Sequence, residues 1–297
     1  MTFDRNGETE KMCAYKLSMI TDEMTQNLQE AIAFAKEHGM QGVELRSVED
    51  TTIGNIPDEK LAEYKKMLDE AGLKVVSLAS PLCKCVLTDA CIPEEMARLD
   101  RLLKACEILD APSIRAFAFV TDGEKPSVET LAKVLRPFAE KAWEKGRKLC
   151  FEADPSVNTT NHQQLNALLD LIDHPAAGAI FDPGNDIWDR DNEVPYPDGF
   201  NAIKKHVYHV HVKDAVKTPE HIDAVCPGTG AVDYPGLMKA LKEMKYDGFF
   251  SMEPHYRVAA QLSEEQLQRP GGDAFSVGGY QAMVESTEAF KKLYEEA

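Results

Sequence analysis

His209-Val210-His211-Val212-Lys213-Asp214 alternates polar and apolar residues with a period of two, directly after Val207-Tyr208. That is the pattern of a β-strand, in which successive side chains point to opposite faces. Val210 and Val212 then share one face, and His209, His211 and Lys213 share the other. A polar row on so apolar a strand needs partners, because an unpaired buried polar group is costly. Two satisfied core histidines would answer that need, and so would a metal ligand; a His-x-His pair alone does not choose. The ends of the neighbouring strands bear on the choice and also decide the fold.

The chain has 297 residues, 43% of them hydrophobic, which is ample for a large core. No apolar run approaches the roughly 18 residues of a membrane span. The start, Met1-Thr-Phe-Asp-Arg-Asn-Gly-Glu, has no apolar segment of the secretory kind. Residues 1–12 read as a frayed polar tail and 13–297 as the folded domain. Seven cysteines, an odd number without framework spacing, point to a reducing cytoplasmic setting. A formal charge of −17 argues against nucleic acid or an anionic membrane as a partner. It leaves room for a small anion in a local pocket.

Eight apolar strand-like runs alternate with longer helical patterns: 15–18, 42–46, 75–80, 113–119, 149–153, 179–182, 207–212 and 249–253. Leu28, Ala31, Ile32 and Ala35 recur at helical spacing before a stop at Gly39. Leu61, Tyr64 and Leu68 do so between Pro57 and Gly72, and Leu237, Leu241 and Met244 between Pro235 and Gly248. Successive strands begin about 27 to 42 residues apart, the length of a βα unit with its loops. No linker or shift of composition marks a second domain. A doubly wound open sheet is the runner-up, but its first turn, Ser18-Met-Ile-Thr-Asp-Glu, lacks a glycine-rich phosphate fingerprint. The expected fold is α/β, a single (β/α)8 TIM barrel.

In such a barrel the chemistry sits at the C-terminal ends of the strands. The fifth run ends Cys150-Phe-Glu152, the sixth Ile180-Phe-Asp182, the seventh carries His211, and the eighth ends Ser251-Met-Glu253. Parity puts each carboxylate on the face of a small or apolar neighbour suited to a barrel interior. Three carboxylates meeting there unpaired would repel one another and take up protons. A divalent cation relieves that repulsion, and carboxylates with one imidazole suit Mn²⁺ first, with Mg²⁺, Co²⁺ or Zn²⁺ as alternatives. Any one of these carboxylates is as readily explained by a helix cap or a pairing with Arg115 or Lys213. Three carboxylates and a histidine at the ends of four successive strands favour a metal site.

These stretches also carry a resemblance. Gly42-Val-Glu44-Leu, Phe181-Asp182-Pro-Gly-Asn185, the His209–Asp214 stretch, Pro227-Gly-Thr-Gly-Ala-Val-Asp233-Tyr and Tyr246-Asp-Gly-Phe-Phe-Ser-Met-Glu253-Pro are similar to those of the xylose-isomerase-like TIM-barrel superfamily. That group contains sugar isomerases and epimerases, inosose dehydratases and endonuclease IV. The resemblance runs from about Met12, dense in the last third and thin before Glu152. It implies a metal held by Glu152, Asp182, His211 and Glu253. Ketohexose 3-epimerases place a histidine where this chain has Asn185, and an arginine where it offers Lys213 and Lys217. Endonuclease IV needs three zinc ions and more strand-end histidines than are present.

The implied chemistry is proton transfer next to a carbonyl, through a metal-stabilised enediolate, with Glu152 and Glu253 as the bases. Return of the proton to the neighbouring carbon isomerises the substrate, and return to the opposite face epimerises it. Loss of a β-substituent makes the protein a lyase or dehydratase. A non-catalytic binding subunit is the rival from another class. Glu44, Arg115, Asn185, Trp188 and Lys213 are expected to contact a carbohydrate or cyclitol, although Glu44 with Arg115, or Lys213 with Asp182 or Glu253, could simply pair. His209 reads as a partner of the site or a core residue. Trp188 and Tyr196 read as stacking groups, a lid or a homo-oligomer contact. Cys83, Cys85 and Cys91 read as loop packing, with a structural zinc as the alternative. The residues from Arg257 to Val277 read as an insertion. The acidic charge and few free cations favour an unphosphorylated substrate.

Overall fold

Eight parallel strands form one sheet in a computed structural model that describes residues 15–259, 262–263, 265–266 and 270–297. They are β1 (Lys16–Met19), β2 (Gly42–Leu45), β3 (Lys74–Leu82), β4 (Ser113–Ala116), β5 (Lys148–Glu152), β6 (Ala177–Phe181), β7 (Val207–Val212) and β8 (Phe249–Met252). Each of the eight expected runs is a strand, with ends displaced by three residues at most. The hydrogen-bonded order is β1-β8-β7-β6-β5-β4-β3-β2. The remaining seam between β1 and β2 is drawn together by a parallel bridge of Ile20 with Glu44. There the Gln41 N–H donates to the Leu17 carbonyl at 3.0 Å. Eight strands with helices between them form a nearly closed TIM barrel, as the spacing predicts. The segment 1–12 and Arg269 lie outside the described residues.

Besides a single turn at Asp273–Ser276, the α-helices among the described residues are α1 (Leu28–Glu37), α2 (Asp58–Ala71), α3 (Cys91–Leu109), α4 (Val128–Glu144), α5 (His162–Ile172), α6 (Phe200–Ile203), α7 (Tyr234–Glu243) and α8 (Gly279–Glu296). Their starts are chemically marked. Asn27, Ser127, Asn161 and Asp233 each accept backbone N–H groups of the first turn that have no partner within the helix. Gly72 ends α2 in the left-handed conformation at φ 73°. The stop expected at Gly248 falls earlier: α7 ends at Glu243, and Lys245 makes the left-handed turn instead. Apolar faces such as Leu61, Tyr64 and Leu68 of α2, or Leu131, Leu135 and Phe138 of α4, are buried against the strands. Each such side chain contributes about 1.5–3 kcal/mol relative to exposure.

This outer layer leaves the inward faces free to be polar at one end of the barrel. Two short antiparallel hairpins, Ser47–Val48 with Thr51–Thr52 and Asp214–Lys217 with Ile222–Val225, follow β2 and β7 at that end. Neither hairpin is visible in the period-two pattern. No helix among the described residues is long and apolar enough to cross a membrane.

Candidate metal centre

The strand ends converge. One ligand-type atom from each of Glu152, Asp182, His211 and Glu253 lies within 4.8 Å of the others, and all four residues are buried. The ladder explains the convergence, because Ser251 pairs with His211 and Glu152 with Ile180, so their ends stand level around the barrel. His211 Nδ1 lies 2.8 Å from Glu152 Oε1 and 3.2 Å from Glu253 Oε2. Lys213 Nζ lies 2.7 Å from Asp182 Oδ2 and 2.9 Å from Glu253 Oε2. The remaining oxygen of Asp182 accepts the Gly184 N–H at 3.0 Å. Glu152 Oε2 faces Arg115 at 3.0 Å, and Glu253 Oε1 faces Arg46 at 3.2 Å.

These contacts set the charges. Burial works against the Glu152 carboxylate, but Arg115 and His211 overcome it and hold the group below its ordinary range. Glu253 is likewise held well below, with burial outweighed by Lys213, His255 and His211. Asp182 moves the other way. Burial, with Glu253 and Glu152 nearby, pushes it up despite Lys213. Burial opposes protonation of His211, yet Glu44, Glu152 and Glu253 push its ring well above the usual histidine range. Here the raised His211 imidazole, Lys213 and Arg115 offset the carboxylates, and a divalent ion bound by the quartet would take over that role.

The donor set fits a divalent ion. Asp182 Oδ2 and Glu253 Oε2 are buried and form no aligned hydrogen bond. On the far side of the His211 ring, Nε2 lies 3.2 Å from Glu44 Oε2, which also meets His209 Nε2 at 2.9 Å. A carboxylate behind a ligating imidazole fixes the ring's orientation and raises its basicity. Glu44 is fully buried beneath the cavity and does not line it, so the hydroxyl contact expected of it is not what this geometry offers. The pairing of Glu44 with Arg115 does not form. The register slips by one residue between Val43 and Glu44, which is where this carboxylate turns toward the histidines.

A cavity of about 1220 Å³ opens above the cluster, with Arg115, Glu152, Asn185, Trp188, Lys213 and Glu253 among its walls. Asn185 is anchored by the Ala153 carbonyl at 3.0 Å and receives the Lys213 ammonium at 3.2 Å. Tyr196 is elsewhere, packed near Phe200 and the first turn of α7. Pro270, Gly271 and Gly272 form the opposite rim, so part of the expected insertion does reach the cavity. Among the described residues, no cysteine belongs to a group able to hold a metal.

Four residues of this site escape the strand-end reading. Arg46 bridges Asp22, Glu23 and Glu253 at 3.0, 2.7 and 3.2 Å. His255 Nδ1 lies 2.9 Å from Glu23, and its backbone sits at φ 52°, strained for a non-glycine residue. Parity held a signal for Arg46, two residues beyond Glu44 on the same face. Asp22 and Glu23 lie in a single 3-10 turn with no periodicity to read.

Known proteins agree with this architecture. The chain is 26% identical over 145 residues to inosose dehydratase from Clostridium perfringens, covering 42% of this chain and 46% of that protein. It thus spans about half the length of the inosose dehydratases that it matches. It is 21% identical over 254 residues to inosose isomerase from Bacillus velezensis, covering 79% and 87%. The fold superposes on the IOLI protein, solved with a zinc atom bound, at a TM-score of 0.72 and 18% identity, covering 95% and 98%. With the model for that family matching residues 32–273, the chain belongs to the xylose isomerase-like TIM barrels.

Proposed function

We propose that the protein is a divalent-metal-dependent isomerase or epimerase of a sugar or cyclitol, acting by proton transfer next to a carbonyl. The observation that carries this reading is the buried Glu152–Asp182–His211–Glu253 quartet at the floor of an open cavity. Those four residues would hold the ion, Mn²⁺ by preference. When bound, it would supply Lewis-acid polarisation of the substrate carbonyl.

The protein's own groups do the rest. Glu152 and Glu253 both reach His211 Nδ1, at 2.8 and 3.2 Å, and both carboxyls are held below their ordinary range, so one can take the proton and either can return it. Arg115 donates to Glu152 and to the Ala79 and Ser80 carbonyls, so it orients Glu152, and its remaining N–H groups are open to a substrate oxygen in the cavity that it lines. Asn185 and Lys213 offer a donor and a cation to substrate oxygens from one wall, and Trp188 adds an indole to that wall. The likeness to inosose dehydratases favours a second reading on the same site, in which a β-hydroxyl leaves after deprotonation.

An unphosphorylated substrate fits best. The amide-rich turn after β7 is already filled: Asp214 accepts N–H groups from Gly228, Gly230 and Val232 at 2.9, 2.9 and 3.1 Å. Arg257 is tied to the carbonyls of Tyr256, Phe275 and Val277. The test is product analysis by NMR in D2O, using matched free and phosphorylated ketoses and inososes with Mn²⁺. Deuterium at the carbon beside the carbonyl of the free substrates is expected. Preference for the phosphate esters overturns the substrate choice, and no exchange with any of them overturns the reaction.

A further inference from the structure

We infer that Lys213 is a built-in competitor for the cation of the carboxylate quartet, coupling ion occupancy to the presentation of an ammonium group in the cavity. This rests on the metal reading of the quartet. Lys213 Nζ lies 2.7 Å from Asp182 Oδ2 and 2.9 Å from Glu253 Oε2. Within the quartet, these are the two carboxylate oxygens without an aligned hydrogen bond. Their partner oxygens are engaged elsewhere, Asp182 Oδ1 by the Gly184 N–H at 3.0 Å and Glu253 Oε1 by Arg46 at 3.2 Å. The ammonium therefore claims the same two oxygens that an ion needs.

The two cations cannot share them at full strength. A divalent ion bonds carboxylate oxygen at about 2.0–2.2 Å. Its centre would then lie a few ångströms from Nζ, where like charges repel strongly in a buried site. One of them must give way, and the fold directs which part moves. The Lys213 carbonyl is held by the Tyr234 hydroxyl at 2.8 Å. Its stem lies against Gly184, where an added Cβ would come within 2.5 Å of Lys213 Cγ. Only the end of the side chain is left to turn, about its existing hydrogen bond to Asn185 Oδ1 at 3.2 Å and into the cavity that both residues line. Ion binding thus delivers the ammonium to the place where a substrate oxygen would sit, and substrate that holds the ammonium there strengthens ion binding in return.

The test is calorimetric titration of the metal-depleted full chain with Mn²⁺ alone, comparing wild type with Lys213→Met and Lys213→Gln, each shown to be folded by circular dichroism. Removing a neighbouring like charge should tighten Mn²⁺ binding about tenfold or more in both variants. A purely structural lysine would leave binding unchanged or weaken it. Equal or weaker binding by the folded variants, with wild type binding normally, overturns the competition and leaves the metal reading standing. Failure of wild type and both variants to bind Mn²⁺ overturns the metal reading and this inference with it.

Discussion

Glu44 backs the His211 ring, its Oε2 lying 3.2 Å from His211 Nε2 and 2.9 Å from His209 Nε2. A one-residue register slip turns it under His209 and His211 rather than toward the cavity. Glu44→Gln should weaken Mn²⁺ binding by about 10–100-fold while leaving the four ligands in place. Unchanged affinity in a calorimetric titration would show that His211 needs no such support. The two glutamates beside His211 make a sharper demand. Glu152→Gln and Glu253→Gln should each abolish solvent-deuterium incorporation, since an amide cannot accept the proton. A variant that exchanges at the wild-type rate removes that residue from the role of base. Glu152, Asp182 and Glu253 could be found because each ends a period-two run. Arg46 and His255 share that parity with Glu44 and Glu253, but their value depends on Asp22 and Glu23, which only the tertiary fold brings near.

At the scale of elements, the loop after β6 is fastened to α5 by groups that the mechanism does not use. Glu193 accepts the N–H groups of His162 and Gln163 at 2.7 and 3.1 Å, and His162 Nδ1 lies 2.6 Å from Asp186. Burial and the neighbouring Asp186 push Glu193 up to about 7, against the pull of those two N–H groups. Folding thus favours its protonated form relative to an ordinary glutamate near 4.3. The stability it contributes is full below about pH 4 and is lost as pH rises through about 7. Thermal midpoints recorded from pH 5 to 8 should therefore fall less steeply in Glu193→Gln than in wild type; parallel profiles would refute the assignment. A second joint is Gly279, at the start of α8, where an added Cβ would lie 1.8 Å from the Glu23 carbonyl oxygen. Gly279→Ala should cost about 1–3 kcal/mol or more in denaturant unfolding, because backbone rather than a flexible side chain must move. A midpoint unchanged within error would mean that the joint yields. Neither joint is legible in sequence, since each depends on contacts between distant loops.

For the whole molecule, the barrel was the most legible feature, because eight apolar runs at βα spacing admit few other closures. The parts that escaped, the two mouth hairpins and the cage around Arg46, sit where local pattern yields to the demands of a polar interior. A site assembled from four strands should bind its ion only in the folded state, so Mn²⁺ should raise the thermal midpoint of wild type. At a hundredfold excess over Kd the gain is about 2.7 kcal/mol. The most direct trial of the central claim is equilibrium dialysis of the full chain against ⁵⁴Mn²⁺, comparing wild type with folded Asp182→Ala. Wild type should hold about one ion per chain and the variant should lose it; undiminished stoichiometry and affinity in Asp182→Ala would rule out the quartet as the metal site.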